Sequence, residues 1–161
     1  MNVHERCRGA RVLVLSPHLD DAAFSCGELI TELRRPVVAT LFAGVPPAEL
    51  APTSWDTLSG FSGGVEAMQE RRAEDERALR MLGALPEQFD FLDHQYGASP
   101  GVQQLSASID ALIGVHRPDV VLMPLGLYHS DHVLVHEAAL ASWTSAAVSY
   151  THLTLPTKRI V

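Results

Sequence analysis

The sequence predicts an α/β fold in which helices cover both faces of a parallel β-sheet. Short apolar runs alternate along the chain with longer segments whose apolar residues recur at helical spacing, and this alternation is typical of βα units. A length of 161 residues suits one domain. The hydrophobic share of 47% and the charged share of 19% indicate a chain with a packed core rather than a disordered one.

Four short apolar runs are the predicted strands. The first, at residues 11–15, is nearly continuous in Val and Leu, and this pattern indicates a strand buried on both faces. The other runs have the same character and are bounded by polar residues, Gly or Pro. We place the remaining strands at residues 37–42, 89–92 and 119–123.

Four segments with helical periodicity separate or follow these strands. The first begins at Asp20 or Asp21, since aspartate suits a helix N-cap, and it ends before Pro36. Residues 43–64 are rich in Pro, Gly, Ser and Thr and predict a long loop of the kind that often covers a site. The remaining helices are predicted at residues 65–82, 102–115 and 131–143.

The composition changes near the C-terminus. The string that begins at Val148 resembles the in-frame translation of a sequencing adapter, although a natural edge strand is the alternative. We interpret residues 148–161 as an artefactual tail and residues 1–147 as the domain. On this interpretation the α/β domain is truncated at its C-terminus and incomplete.

Charge and composition restrict the classes of partner. A net charge of -7 disfavours a protein that binds nucleic acid by neutralising phosphates. No apolar run approaches the ~20 residues that a membrane span requires, and the first residues do not form a secretory signal. Cys7 and Cys26 form neither a disulfide framework nor a CxxC pair, so a reduced, cytoplasmic protein is expected. A homo-oligomer is left open.

Two polar clusters follow predicted strands. Residues 16–21 (Ser-Pro-His-Leu-Asp-Asp) come directly after the first strand, and residues 128–132 (Tyr-His-Ser-Asp-His) follow the fourth. Ligands of open parallel sheets collect beyond the carboxyl ends of the strands. We therefore expect the two clusters to lie close together at a binding site.

The residue types of the two clusters suit a catalytic metal ion. A catalytic zinc takes three protein ligands and keeps one position open. His18 and Asp21, three residues apart across a turn, can point the same way, and His132 could complete the set. Asp20 would then lie beside the ion as a proton acceptor for water, and His129 would be an additional imidazole near the developing negative charge.

Simpler interpretations of the same residues stay open. Asp20 and Asp21 could cap a helix, and a single histidine in a loop is commonly a polar surface residue. His136 could face the site from one helical turn beyond His132, but a supporting or surface position suits it better. Cys26 is expected to pack in a helix among small residues rather than to act as a nucleophile.

Three elements in the expected order resemble one known family. Residues 16–21, followed by Ser-Cys-Gly at 25–27, resemble the signature of the LmbE-like, or PIG-L, zinc de-N-acetylases. Residues 129–132 resemble the later His-x-Asp-His element of that family. Between them, Arg71-x-x-Glu74 and then Leu-Gly at 82–83 resemble its middle helix. The resemblance extends over residues from about 11 to 145.

The resemblance implies a Rossmann-like fold and removal of an acetyl group from an N-acetylglucosamine-type amino-sugar conjugate, a small-molecule substrate. It implies one zinc ion per chain, with His18, Asp21 and His132 as ligands. Asp20 would be the general base, and His129 would polarise the carbonyl or protonate the leaving amine.

Two further residues follow from the matched elements. Arg71 corresponds to a substrate-contacting arginine, and a salt-bridged position on the helix surface is its alternative. Asp131, within the second cluster, is expected to support a metal ligand rather than to bind the ion itself.

The chain also departs from the family pattern. Leu19 and Ala22 stand where the signature more often has Pro and Glu, and Tyr96, with Asp93 nearby, stands where many members have an aspartate. The rival functions are a two-metal His/Asp phosphoesterase and a non-catalytic sugar- or nucleotide-binding module. The first turn lacks the GxGxxG pattern that such a nucleotide module would use.

Overall fold

The computed structural model describes residues 3–97 and 99–142, which form one parallel sheet flanked by helices. The strands are β1 Val12–Ser16, β2 Val37–Thr40, β3 Leu85–Gln88 and β4 Val120–Leu122. The helices are α1 Val3–Cys7, α2 Asp21–Glu32, α3 Ser54–Leu58, α4 Gly64–Met81, α5 Val102–His116 and α6 Ser130–Ala141, and a short 3₁₀ turn spans His94–Tyr96.

The sheet has the strand order β3-β2-β1-β4, and all neighbouring strands run parallel. From β1 the chain first builds β2 and β3 on one side and later returns to place β4 on the other side. The order therefore reverses between β1 and β4, which is the switch point of a doubly wound, Rossmann-like sheet. The predicted α/β class is confirmed.

The two faces of β1 enter two separate hydrophobic cores. Leu13 and Leu15 pack into a core that α5 and α6 complete, whereas Val12 and Val14 pack into a core that α2 and α4 complete. Successive side chains of a strand point to opposite faces, so both parities must be apolar when both faces are covered. This requirement explains the continuous apolar run that predicted β1.

The third strand was predicted at the wrong place. It lies at Leu85–Gln88 rather than at residues 89–92. Within the described residues, β3 pairs with β2 alone and therefore forms an edge of the sheet. Its residues are only half-buried, so β3 does not need the continuous apolar run that marks a central strand. Pro86 is tolerated at such an edge. The more apolar Phe89 and Phe91 follow the strand and pack against the core of α5 and α6 instead.

The long loop is more ordered than its composition indicated. Within residues 43–64 the structure forms α3, which begins with a capping box between Thr53 and Asp56. A helix of five residues is too short to produce a periodic apolar pattern, and the same holds for α1.

Some expectations lie outside the described residues. They concern the helix end at Trp143, the domain boundary at 147 and the tail at 148–161. Among the helices in the two described ranges, none combines the length and the hydropathy needed to cross a membrane.

Gly44 offers a test of the packing at the carboxyl end of β2. Its amide donates to the Phe91 carbonyl at 2.9 Å, and a Cβ at this position would lie 2.5 Å from the Asp90 carbonyl oxygen. We expect Gly44→Ala to lower the free energy of unfolding by about 1–3 kcal/mol, because backbone atoms must shift. Equilibrium denaturant unfolding measures this change.

Gly114 supplies the matched control. It lies exposed within α5, and a Cβ there would meet no atom of residues 3–97 or 99–142 within 4 Å. Gly114→Ala should stabilise the protein by about 0.5–1 kcal/mol, since alanine favours the helix. Equal stability of the two variants would contradict the packing described for Gly44.

Candidate metal centre

The switch point brings the two polar clusters of the sequence together. His18 follows β1, and His129 and His132 follow β4, at the carboxyl ends of two paired strands. The three imidazole rings form a cluster in which His18 lies 4.7 Å from His129 and 5.2 Å from His132, measured between ring centroids. The proximity expected from the strand order is therefore present.

His18, Asp21 and His132 converge on one point. Asp21 Oδ2 lies 3.3 Å from His18 Nδ1 and 3.0 Å from His132 Nε2. Two ligands about 2.0–2.1 Å from a tetrahedral zinc ion lie roughly 3.3–3.4 Å apart. The side chains thus fit a small divalent cation with little movement, and the donor set of two imidazoles and a carboxylate suits zinc.

Asp131 supports this group from behind. Its carboxylate is buried, and Oδ2 lies 3.0 Å from His18 Nε2 and accepts a hydrogen bond from the His94 amide at 3.1 Å. A carboxylate on the distal nitrogen of a histidine fixes the ring and its tautomer for metal binding. The second oxygen, Oδ1, is buried and has no hydrogen-bond partner among the residues that the structure describes.

The carboxylates of Asp21 and Asp131 favour a positive charge at the place where the three side chains converge. Burial alone would lower the pKa of His18, but its hydrogen bonds with Asp131 and Asp21 raise the pKa to about 10. Burial opposes ionisation of Asp21, yet the hydrogen bonds from His132 and His18 hold its pKa well below the usual range. A cation that replaced the histidine proton would meet the same attraction.

Asp20 occupies the position before α2 but does not cap the helix. Its carboxylate makes no capping hydrogen bond, and its backbone is left-handed, with φ 88° and ψ -28°. Such a conformation costs about 1–3 kcal/mol and concentrates at functional sites. Desolvation by the surrounding protein and the Asp21 carboxylate raise the pKa of Asp20 to about 6. Simple capping therefore does not explain this residue.

His129 and His136 differ in their surroundings. His129 is the N-cap of α6, and its Nδ1 accepts a hydrogen bond from the Asp131 amide at 3.2 Å. Partial burial and the neighbouring charge at His18 lower the pKa of His129. His136 Nδ1 lies 3.0 Å from the Pro124 carbonyl oxygen. His136 thus holds the loop after β4, in agreement with a supporting position.

Arg71 is paired in the structure. Its Nη1 donates to Asp56 Oδ1 at 3.1 Å, and its guanidinium lies 5.5 Å from the Phe61 ring centroid. Asp56 is fully buried and also accepts a hydrogen bond from the Tyr96 hydroxyl at 3.0 Å. The salt bridge that was the alternative for Arg71 is therefore present. In the described part of the chain, Arg71 Nη2 is buried and has no hydrogen-bond partner. Arg71 and Tyr96 both tie the long loop to the body of the protein.

The sequence interpretation missed Asp75. The Arg71-x-x-Glu74 pattern drew attention to Glu74, which is exposed, whereas Asp75 is 3% exposed and contacts Asp20. The helical periodicity of the sequence could have identified Asp75. It lies seven residues after Met68 and four before Leu79, on the buried stripe of α4. An acid on such a stripe needs partners inside the protein.

A cavity of about 300 Å³ opens beside the converging side chains. His18, Asp21, His129 and His132 contribute to its wall. Apolar residues of the loop after β4 form much of the rest, namely Pro124, Leu125 and Leu127. A concave site with a few polar groups among apolar ones is typical of small-molecule binding.

Comparisons with known proteins identify relatives of this chain. The chain is 31% identical to 2'-N-acetylparomamine deacetylase of Streptomyces fradiae, over 84% of this chain and 53% of the relative. The chain thus spans about half the length of that curated relative.

Solved structures agree in fold. A triple mutant of a deacetylase in the teicoplanin biosynthetic pathway matches with a TM-score of 0.74 and 31% identity, over 82% of this chain and 58% of the other. The zinc-inhibited form of teicoplanin deacetylase matches with a TM-score of 0.73 and 27% identity, over 82% and 62% of the two chains.

A family model covers most of the chain. The model of PIG-L, GlcNAc-PI de-N-acetylase, matches residues 13–143. This range contains the turn after β1, the buried stripe of α4 and the histidines after β4. From the converging His/Asp site, the sheet order and this match, we conclude that the chain belongs to the PIG-L, or LmbE-like, family of de-N-acetylases.

Proposed function

We propose that the protein is a zinc-dependent hydrolase that removes the acetyl group from an N-acetylglucosamine-type amino-sugar conjugate. The observation that carries this proposal is the convergence of the potential ligand atoms of His18, Asp21 and His132 within 4.8 Å of one another. The reaction adds water across the amide bond, so that the C–N bond breaks and acetate and a free amine are released.

The relatives support the substrate class. One is named for 2'-N-acetylparomamine, and others are deacetylases named for teicoplanin. An N-acetylated amino-sugar conjugate is the chemistry that we extend to this chain. The cytoplasmic location and the oligomeric state stay predictions.

His18, Asp21 and His132 would hold one zinc ion, with Asp131 fixing the His18 ring. When bound, the ion would supply a Lewis acid that polarises the amide carbonyl and acidifies water. The two candidate ligand groups, His18–Asp21–His132 and His18–His129–Asp131, share His18. This sharing favours one ion over the two separately held ions of a phosphoesterase.

Asp20 is the proposed general base. Desolvation and the neighbouring Asp21 carboxylate raise the pKa of Asp20, whereas the pKa of Asp21 is lowered, so Asp20 is the more basic carboxylate of the two. Asp20 would accept the proton of the attacking water and then pass it to the leaving amine or to solvent.

His129 is proposed to assist at the carbonyl oxygen or the leaving amine. Because Nδ1 accepts the Asp131 amide, a neutral His129 carries its proton on Nε2. That N–H can donate to the oxygen on which negative charge develops. Arg71 is the proposed contact to the substrate, which the resemblance of residues 71–74 to the middle helix of the family supports.

The rival functions make different demands. A phosphoesterase would bind two ions per chain, and a non-catalytic module would retain none while still binding sugar. Metal analysis of purified protein, together with an acetate-release assay on a panel of N-acetyl amino sugars, separates the three functions. One zinc per chain with acetate release supports the proposal, and release of phosphate from phosphate esters without acetate release would overturn it.

Asp20→Asn tests the general base. The substitution removes the basic oxygen without removing a proposed ligand, so we expect kcat to fall about 10²–10⁴-fold while the zinc content stays the same. Asp110→Asn, an exposed position on α5, is the matched control and should leave kcat unchanged. Full activity of Asp20→Asn would mean that another group accepts the proton.

His132→Ala tests the metal site. The remaining two ligands should bind zinc much more weakly, so the purified variant should lose its stoichiometric zinc and its acetate release. His116→Ala is the control, because His116 pairs with Glu87 outside the histidine cluster. Elemental analysis after dialysis gives the metal content. Stoichiometric zinc in His132→Ala would remove His132 from the ligand set.

A further inference from the structure

A buried carboxylate lies behind Asp20, and the proposed chemistry does not use it. Asp75 lies in α4 and is 3% exposed. Aspartate is almost never buried to this degree unless other groups of the protein satisfy its oxygens. The partners of Asp75 therefore indicate what the residue does.

The partners of Asp75 come from three other parts of the sheet edge. Oδ1 accepts a hydrogen bond from the main-chain amide of Asp20 at 3.1 Å. Oδ2 accepts from Gln88 Nε2 at 3.2 Å and from Thr40 Oγ1 at 3.4 Å. Gln88 ends β3 and Thr40 ends β2, so the Asp75 carboxylate is held by the rigid sheet while it holds the turn after β1.

The Asp20 amide needs such an acceptor for two reasons. Amides at a helix N-terminus have no partner within the helix, so this one must find an acceptor elsewhere. The left-handed backbone of Asp20 is also unfavourable for a residue with a Cβ, and surrounding interactions must maintain it. The backbone angles of Asp20 in turn set the direction in which its carboxylate leaves the chain.

We propose that Asp75 is the positioning residue of the general base: its carboxylate holds the Asp20 amide and thereby fixes the direction in which the Asp20 side chain leaves the chain. This role rests on the proposed function, in which Asp20 accepts the proton. Asp75 itself touches neither substrate nor metal. Thr40 and Gln88 keep its carboxylate in place.

Asp75→Ala and Asp75→Asn test the role together. Removal of the acceptor in Asp75→Ala should lower kcat roughly 10–100-fold, because small errors in the placement of a catalytic group are costly. KM should stay within about twofold, and one zinc per chain should remain. Asp75→Asn should recover most of kcat, since its carboxamide oxygen can still accept the Asp20 amide.

Glu76→Ala is the matched control. Glu76 is the next residue of α4, and it lies exposed in an ion pair with Arg80. Its removal should leave kcat, KM and zinc content unchanged. An Asp75→Ala variant with wild-type kcat, or one that loses zinc along with its activity, would overturn the positioning role.

A double variant separates this proposal from the proposed function. If Asp75 acts through Asp20, then Asp75→Ala should cause no further loss of kcat in the Asp20→Asn background. Independent, multiplying losses would overturn the positioning role while leaving Asp20 as the base. Full activity of Asp20→Asn alone would instead overturn the proposed function.

Hydrogen exchange of the unaltered protein supplies a test that needs neither turnover nor a variant that folds. In protein stripped of metal, the Asp20 amide should exchange at least about tenfold more slowly than an unstructured amide, because it is bonded to Asp75. NMR detection resolves this single amide. Exchange at the unstructured rate would show that the Asp75 contact does not persist in solution, and it would overturn the proposal.

Discussion

The pairing of β1 with both β2 and β4 is the constraint on which the site depends. β1 lies between β2, which follows it directly along the chain, and β4, which comes much later in the sequence. The carboxyl end of β1 is therefore adjacent to residues from a distant part of the sequence. Parallel pairing places all strand ends at the same edge. Asp21 Oδ2 can therefore meet His18 and His132 although the histidines are separated by more than a hundred residues.

Buried carboxylates give this edge its chemical character, and each is compensated differently. Asp131 faces His18 and the His94 amide, and Asp56 faces Arg71 and Tyr96. Within the described residues, the hydrogen-bond donors to Asp75 are all neutral. Burying a carboxylate is costly unless hydrogen bonds or opposite charge offset the lost hydration. The group around His18 offsets this cost with positive charge, which is why a divalent cation suits that position. The hydrogen bonds around Asp75 offset only part of this cost, since burial still raises the pKa of its carboxyl, but they also organise the backbone.

The loop between β2 and α4 is connected to the same edge through Asp56. This aspartate closes a capping box with Thr53 and receives hydrogen bonds from Arg71 and Tyr96. The turn that carries Tyr96 also donates the His94 amide to Asp131. A single short turn thus contacts both the loop and the residue that orients a proposed metal ligand. The loop is held against the site by buried polar bonds rather than by apolar packing alone.

The sequence by itself determined the class of the fold, and it predicted which histidines and aspartates would form the candidate site. The apolar run of β1 indicated a strand covered on both faces, and histidines and aspartates directly after two strands of a parallel sheet were expected to lie near one another. The apolar periodicity of the sequence did not predict the elements that are only partly buried or very short. The half-buried β3 was placed four residues too late, and the five-residue α3 was missed.

Only the tertiary structure decided which polar residues work together. Composition could not tell whether Arg71 faces solvent or a buried partner, because Asp56 comes from a loop with no periodic pattern. The resemblance to the family pattern likewise drew attention to Glu74, although the periodicity of α4 turns Asp75 toward the sheet. The bond between Asp75 and the Asp20 amide joins residues 55 positions apart. Contacts of this kind arise from the packing of α4 on the strand ends, which no short stretch of sequence encodes.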